Sequence, residues 1–372
     1  MAVPPLGIPP PERLGPPVDY AAKTTTHASV QVTAAVSPSR DVIFEILSWL
    51  PAKSLCRCRC VSKEWRALVS DQDFVATHRS RAEPLLVAIY GYGSDKTLVL
   101  LRTDGTVVRV VENLGGDSRL RASLGELACI SYGYNQSSML VMDLATGKTL
   151  VSCFRPPWEM EYVCFGFGRA VQSGSIKVFR LGIPPRQLHT RTYEVLTLGD
   201  SANWRSTELP PTMISHRYGN TSGVTANGAL HFLSQDLCNV LSFDLDEEKW
   251  RLIRGPQGGM KAVTISELNG VLCMAQRMHH VINLWLLRDS DNNIWIKAYT
   301  VPMPGFGFQI PLRLLRVSTE LLFCRYDYEL KLVLEVYDPR SGQCTEVKTP
   351  TRLGDKIGLC SSSLDPRLYG QS

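Results

Sequence analysis

Between residues 41 and 69 the apolar positions fall at helical spacing: Ile43, Ile46, Leu47 and Leu50 recur at i, i+3, i+4 and i+7, the stripe of an amphipathic helix. Ser37 or Ser39 suits its N-cap and Pro38 its first turn. Pro51 disfavours helical continuation through Leu50 and is a good first residue for the next helix, expected from about Pro51 to Arg59. Ser62 can cap a third, in which Val61, Trp65, Leu68 and Val69 follow i, i+4, i+7 and i+8 before a turn at Asp71 and Asp73. Three helices in so short a stretch bury too little to be secure alone, since chains below about 40 residues usually need a staple or a partner. The surplus apolar surface therefore asks for a second surface to cover it.

From about Glu83 the pattern changes to short apolar stretches separated by turn residues, which predicts an all-β domain. Asp104-Gly105 sits between LVLLRT and TVVRVV as a type I′ hairpin would require. Strand, turn and returning strand recur at Asp143, Asp244 and Asp338. A longer period overlies this: Asn227-Gly228 and Asn269-Gly270 are 42 apart, and Trp204, Trp250 and Trp295 are 46 and 45 apart. Four short strands per repeat of about 40 to 50 residues is the mark of a propeller blade. Dividing Glu83 to Cys360 by that period gives about six blades, with a β-sandwich as the alternative. The fold class expected is α+β multidomain, a small three-helix unit followed by an all-β propeller-like domain.

Composition adds boundaries. Residues 1–35 are rich in Pro, Ala and Thr and are expected to form a disordered tail. Residues 36–82 hold the helical motif and linker, 83–360 the β domain, and 361–372 a C-terminal tail. No apolar run approaches the ~18 residues needed to span a bilayer. The first 20 residues carry seven prolines and no signal core. Eleven scattered cysteines without a signal read as reduced thiols. Cys56, Cys58 and Cys60 lack the pairing of a zinc site, and His279 and His280, adjacent in a strand, would face opposite ways. The net charge of +5 falls short of a nucleic-acid binder, although five basic residues and one acid lie between Lys53 and Arg66. An acidic protein partner or plain solvation explains that local excess better.

The chain shows no catalytic constellation. Gly91-x-Gly93 and Gly166-x-Gly168 lack the third glycine and the helix of a phosphate cradle and read as bulges or turns. There is no Gly-x-Ser-x-Gly elbow and no His-Glu-x-x-His. Recurrence of Asp143, Asp244 and Asp338 at equivalent turns argues for turn capping over an acid–base pair. No catalytic residue, cofactor or metal is expected.

Two stretches resemble known families. Leu50 to Leu55 and Arg57 to Arg66 are similar to the F-box. The pieces GFGRAVQSGSIKVFR (Gly166 to Arg180), YEVLTLGDSANWRS (Tyr193 to Ser206), ANGALHFL (Ala226 to Leu233), VLSFDLDEEKW (Val240 to Trp250) and LWLLRD, with a later Trp295, follow in order the F-box-associated domain of plant proteins. The resemblance implies a non-catalytic substrate-recognition subunit of an SCF-type cullin–RING ubiquitin ligase. Its F-box would dock on a Skp-family adaptor through Pro38, Ile43, Ile46, Leu47, Leu50, Pro51, Leu55 and Val61, with Trp65 and Leu68 as internal core. The β domain would bind a target protein, in the cytoplasm or nucleus. Two departures stand out: Ser37-Pro38 replaces the family's opening Leu-Pro, which removes one apolar anchor, and Arg169-Ala170 replaces its Tyr-Asp. A different class of function is a ligand- or glycan-binding propeller outside any ligase. Residues 155–161, 182–189 and 302–308 are candidate target loops by their Pro, Gly and aromatic content.

Overall fold

A computed structural model of the chain describes residues 38–50, 52–81, 84–91, 93, 95–133, 136, 138–153, 161–184, 190–199, 204–215, 222–256, 261–302, 309–315, 319–326, 332–349 and 353–360. The expected terminal tails, Pro51 and most of the three candidate loops lie outside them.

The helical unit has one helix more than expected. Its elements are α1 (Arg40–Ser48), α2 (Ala52–Cys58), α3 (Lys63–Ser70) and α4 (Gln72–Arg81). Ser39 caps α1, its hydroxyl accepting from Val42 N at 3.4 Å, and Ser62 caps α3, accepting from Trp65 N at 3.1 Å. Pro38 stands before the cap instead of inside the first turn. Asp71 does not end the unit. Its carboxylate accepts from Asp73 N (3.0 Å) and Phe74 N (3.2 Å) and so starts α4. Leu47, Leu55, Leu68, Val69 and Phe74 form the core, with Ile43, Phe44, Leu50 and Trp65 packed against it. The rings of Phe44 and Phe74 meet edge to face at 5.2 Å, and His78 Nε2 lies 2.9 Å from the Leu50 carbonyl oxygen.

The β region is a six-bladed propeller. Blade I contains β1 (Leu85–Tyr90), β2 (Thr97–Leu101) and β3 (Val107–Asn113). Blade II is β4 (Arg119–Leu124), β5 (Leu127–Tyr132), β6 (Ser138–Asp143) and β7 (Thr149–Cys153). Blade III is β8 (Glu161–Arg169), β9 (Ile176–Ile183), β10 (Thr192–Thr197) and β11 (Arg205–Ser206). Blade IV is β12 (Val224–Ala226), β13 (Ala229–Leu233), β14 (Asn239–Asp244) and β15 (Trp250–Arg254). Blade V is β16 (Ala262–Leu268), β17 (Val271–Met278), β18 (Val281–Asp289) and β19 (Ile294–Pro302). Blade VI is β20 (Gln309–Leu314), β21 (Leu321–Tyr326), β22 (Leu332–Asp338) and β23 (Gln343–Val347). The last strand, β24 (Leu353–Cys360), returns to pair antiparallel with β1 as the innermost strand of blade I, from Leu85↔Cys360 to Tyr90↔Leu353. The two ends of the β domain thus share one sheet, which closes the ring.

Each blade is buried on both faces, and this explains the continuous apolar runs of the inner strands. In β1, Val87 and Ile89 pack toward blade II with Leu120 and Ile130, while Leu86 and Ala88 pack toward blade VI with Leu322 and Leu334. Four further seams of the same kind join II to III, III to IV, IV to V and V to VI. Close approach explains the glycines of β8. A Cβ on Gly166 would stand 2.8 Å from Leu230 Cδ1, and one on Gly168 would stand 2.7 Å from Leu245 Cδ1. Blade IV occupies that space, so these glycines mark packing between blades and not the bulges or turns expected.

Turn chemistry matches the sequence at two of three hairpins. Asn227-Gly228 (φ +50°, +74°) and Asn269-Gly270 (φ +52°, +89°) have both central residues left-handed, as type I′ requires. At Asp104-Gly105 only the glycine is left-handed, at φ +84°. Gly105 N donates to Arg102 O at 3.0 Å and Thr106 N to the Asp104 carboxylate at 2.9 Å. That is a type I turn followed by a glycine bulge, the three-residue solution. His279 and His280 also form a turn between β17 and β18, not part of a strand, and both are exposed.

Candidate docking surface

The single apolar stripe read along α1 is two stripes. Leu47 is 2% exposed and Leu55 0%, so these two belong to the interior of the helical unit and correct the expectation that they face a partner. Ile43 and Leu50 are half-buried and pack on that core. Ile46 points the other way at 57% exposure, together with Val42 and Trp49. Val61, in the connection between α2 and α3, is 63% exposed, and Pro38 is exposed as well. Leu68 lies in the core and Trp65 packs against it. Sequence reasoning missed Val42 and Trp49; their i, i+4, i+7 relation to Ile46 was a usable signal, masked because the apolar side of α1 is wide enough to hold both stripes.

Charge flanks these side chains. Arg57, Lys63 and Arg66, close to Val61 in sequence, are exposed, with Glu64 the exposed acid among them. Arg81, from α4, pairs with Glu45 of α1 at 3.0 Å. That contact and the indole N–H of Trp49 hold the Glu45 carboxyl below the usual carboxylate range.

The propeller's two faces differ. Alternating antiparallel strands place the first-to-second and third-to-fourth strand turns of blades II to VI, and the β2–β3 turn of blade I, on one face, where connections run from two to seven residues. Asp carboxylates cap these turns. Asp143 accepts from Ala145 N (2.7 Å) and Thr146 N (3.0 Å), Asp244 from Asp246 N and Glu247 N (both 2.8 Å), and Asp338 from Arg340 N (2.8 Å). Asp289, which the sequence pattern does not single out, does the same for Asp291 N (2.9 Å) and Asn292 N (3.0 Å). The other face carries connections of up to seventeen residues, between β11 and β12. The strands that flank 155–161, 182–189 and 302–308 all open onto it. The chain passes from α4 into β1 on the face of tight turns, because β1 starts opposite Cys360, where β24 ends.

Buried polar groups in the propeller serve packing. Arg180 Nε donates to Glu194 Oε2 at 2.8 Å and its guanidinium lies 3.6 Å from the Trp204 ring centroid. Arg325 pairs with Glu335 at 2.8 Å. Burial pushes the thiols of Cys129, Cys164, Cys273, Cys324 and Cys360 up to about 12, so they stay protonated and poorly nucleophilic at neutral pH. Lys356 on β24 donates to the Arg121 carbonyl at 2.7 Å, and burial lowers its pKa to about 8. Among the described residues no three His, Cys, Asp or Glu side chains gather as metal ligands, and no helix is long and apolar enough to cross a membrane.

The described residues thus form a small helical unit with exposed apolar side chains, joined to a six-bladed propeller closed by β24. Comparison with known families agrees at both ends: residues 39–77 match the F-box domain and residues 134–358 the F-box associated beta propeller domain. The chain belongs to the family of F-box proteins with an F-box-associated propeller. Among similar proteins, an F-box/LRR-repeat/kelch-repeat protein of Arabidopsis thaliana is 24% identical over 298 residues, covering 75% of this chain and 81% of the relative. An F-box protein of the same plant is 27% identical over 288 residues, covering 68% and 76%. The fold also resembles TolB from Acinetobacter baumannii at TM-score 0.51 and 9% identity, covering 80% of this chain and 73% of that one, a likeness of architecture alone.

Proposed function

We propose that this protein is the substrate receptor of an SCF-type ubiquitin ligase and is itself non-catalytic. Its F-box docks on a Skp-family adaptor, which links it to cullin and RING subunits, and the propeller presents a protein target. The carrying observation is the solvent-facing placement of Ile46 and Val61 on a unit whose core is already complete without them. Apolar side chains left in water by a finished core are what an obligate partner covers. Pro38, Ile43 and Leu50 complete the contact at its margin, Leu47 and Leu55 support it from inside, and Pro51, outside the described residues, stays a candidate from the sequence alone. The loop face of the propeller is the natural target face, because the chain joins the F-box on the opposite one. The test is capture of a purified Skp-family adaptor by the full chain, compared with Ile46→Asp and Val61→Asp variants that keep the native melting temperature. Loss of capture in both supports the reading. Undiminished capture by both sinks it and leaves the ligand-binding propeller as the function to pursue.

A further inference from the structure

Trp49, the C-terminal cap of α1, is 63% exposed, an unusual position for the largest apolar side chain. It is exposed but not free. Its Nε1 donates to Glu45 Oε1 at 3.2 Å, and the Arg81 guanidinium lies over its ring, 4.7 Å from the centroid. The same guanidinium forms an ion pair with Glu45 at 3.0 Å and donates to the Ser48 hydroxyl. Groups from α1 and α4 therefore fix the plane of a ring that the core does not use. An exposed ion pair adds little stability by itself, so the clamp is better explained by what it holds. Val42 (48% exposed) and Ile46 (57%) stand seven and three residues before Trp49 on the same side of the helix. At 1.5 Å per residue they extend the ring into an apolar ledge about 10 Å long.

We propose that Trp49 is a preorganised anchor of the docking surface and that Arg81 is its positioning residue. The occupant is the Skp-family adaptor, through an apolar contact rimmed by carboxylates. This rests on the docking function proposed above. Tryptophan is the side chain most enriched at binding hot spots, and holding it in its bound orientation before contact cuts the ordering cost of association. Charge selects the rim. Exposed Arg57, Lys63 and Arg66 against Glu64 leave a cationic border beside Val61, which an acidic surface complements.

The experiment measures adaptor affinity of the full chain by calorimetry, with a thermal melt of every variant. Trp49→Ala is expected to weaken binding roughly thirtyfold, the effect of a hot-spot residue. Arg81→Met, which keeps the aliphatic stem, weakens it a few-fold in the wild type and has no further effect in the Trp49→Ala background, because its role passes through the ring. Arg57→Glu with Lys63→Glu slows association and flattens its salt dependence. If Trp49→Ala lowers the melting temperature, Trp49→Phe carries the test, with an intermediate loss of affinity at native stability expected. Affinity within twofold of wild type for Trp49→Ala, while Val61→Asp abolishes binding, overturns the role of Trp49 and leaves the docking function standing. Full affinity in Ile46→Asp and Val61→Asp removes both. A Trp49→Ala effect on self-association alone, read by light scattering, assigns the ledge to a second copy of the chain and overturns the proposal.

Discussion

The indole N–H of Trp295, on the outer strand of blade V, donates to the backbone carbonyl of Arg254, on the outer strand of blade IV, at 2.7 Å. One blade earlier Trp250 reaches back in the same way to Glu208 O at 2.9 Å. The spacing of Trp250 and Trp295 along the chain is therefore the spacing of an inter-blade tie, which Trp204 does not share, its ring lying instead against the Arg180 guanidinium. Trp295→Phe keeps most of the apolar contact and removes the donor, so it should destabilise the propeller by about 1 kcal/mol, the net value of one hydrogen bond. Chemical denaturation of the variant checks this, with an unchanged m-value marking a change in stability alone.

Gly166 is a packing glycine, and its replacement should be costly even by alanine. The added methyl would press on Leu230 at 2.8 Å and Phe232 at 3.0 Å, both buried and hemmed in by Phe179. Overpacking of this kind costs about 1–3 kcal/mol. Gly174→Ala, at an exposed turn with nothing near its Cβ but a φ of +66°, would suffer from backbone strain instead. A double-mutant cycle separates the two effects: Gly166→Ala should cost less in a Leu230→Ala background than in the wild type, whereas the cost of Gly174→Ala should be the same in both.

Repeated local features of this protein were legible, and non-local ones were not. The blade period showed through Trp250, Trp295 and the two Asn-Gly turns because each copy does the same local task. Asp104-Gly105 differs in turn type from its sequence signal because the dipeptide alone does not say whether Asp104 enters the left-handed region; here the three-residue loop keeps it out. The return of β24 to β1 joins residues some 270 apart in sequence, and no periodicity marks that pairing. Helix α4 escaped because Phe74 and His78 are its buried side chains among those described, too few for an apolar stripe. Direction on α1 was the hardest part: Ile46 and Leu47 are neighbours of similar chemistry, and only the completed core separates them.

That separation can be measured. Leu47→Ala empties a core position and should destabilise the helical unit by about 2–5 kcal/mol. Ile46→Asp replaces an exposed side chain and should leave its melting within experimental error of the wild type. Limited proteolysis of the segment from 40 to 81 reports on this unit independently of the propeller. Protease sensitivity raised equally in the two variants would show that both stripes face inward.

His231 makes the propeller acid-sensitive. It lies in the central part of blade IV, 5% exposed, with Nε2 3.2 Å from the Ala226 carbonyl oxygen. Burial, aided by the Arg251 charge, lowers its pKa to about 4, against 6.5 for a free imidazole. The folded state thus binds the proton less well than the unfolded chain does. Stability is fully present above pH 6.5 and falls as the pH drops toward 4, by up to roughly 3 kcal/mol over that window, because a tenfold difference in proton affinity between the folded and unfolded states corresponds to about 1.4 kcal/mol. In His231→Gln the polar side chain remains but does not titrate, so the slope of stability against pH between 6.5 and 4 should be shallower than in the wild type. Denaturant midpoints collected at several pH values in that range, for both proteins, test the sign: a wild type that gains stability on acidification relative to His231→Gln would contradict the buried neutral imidazole.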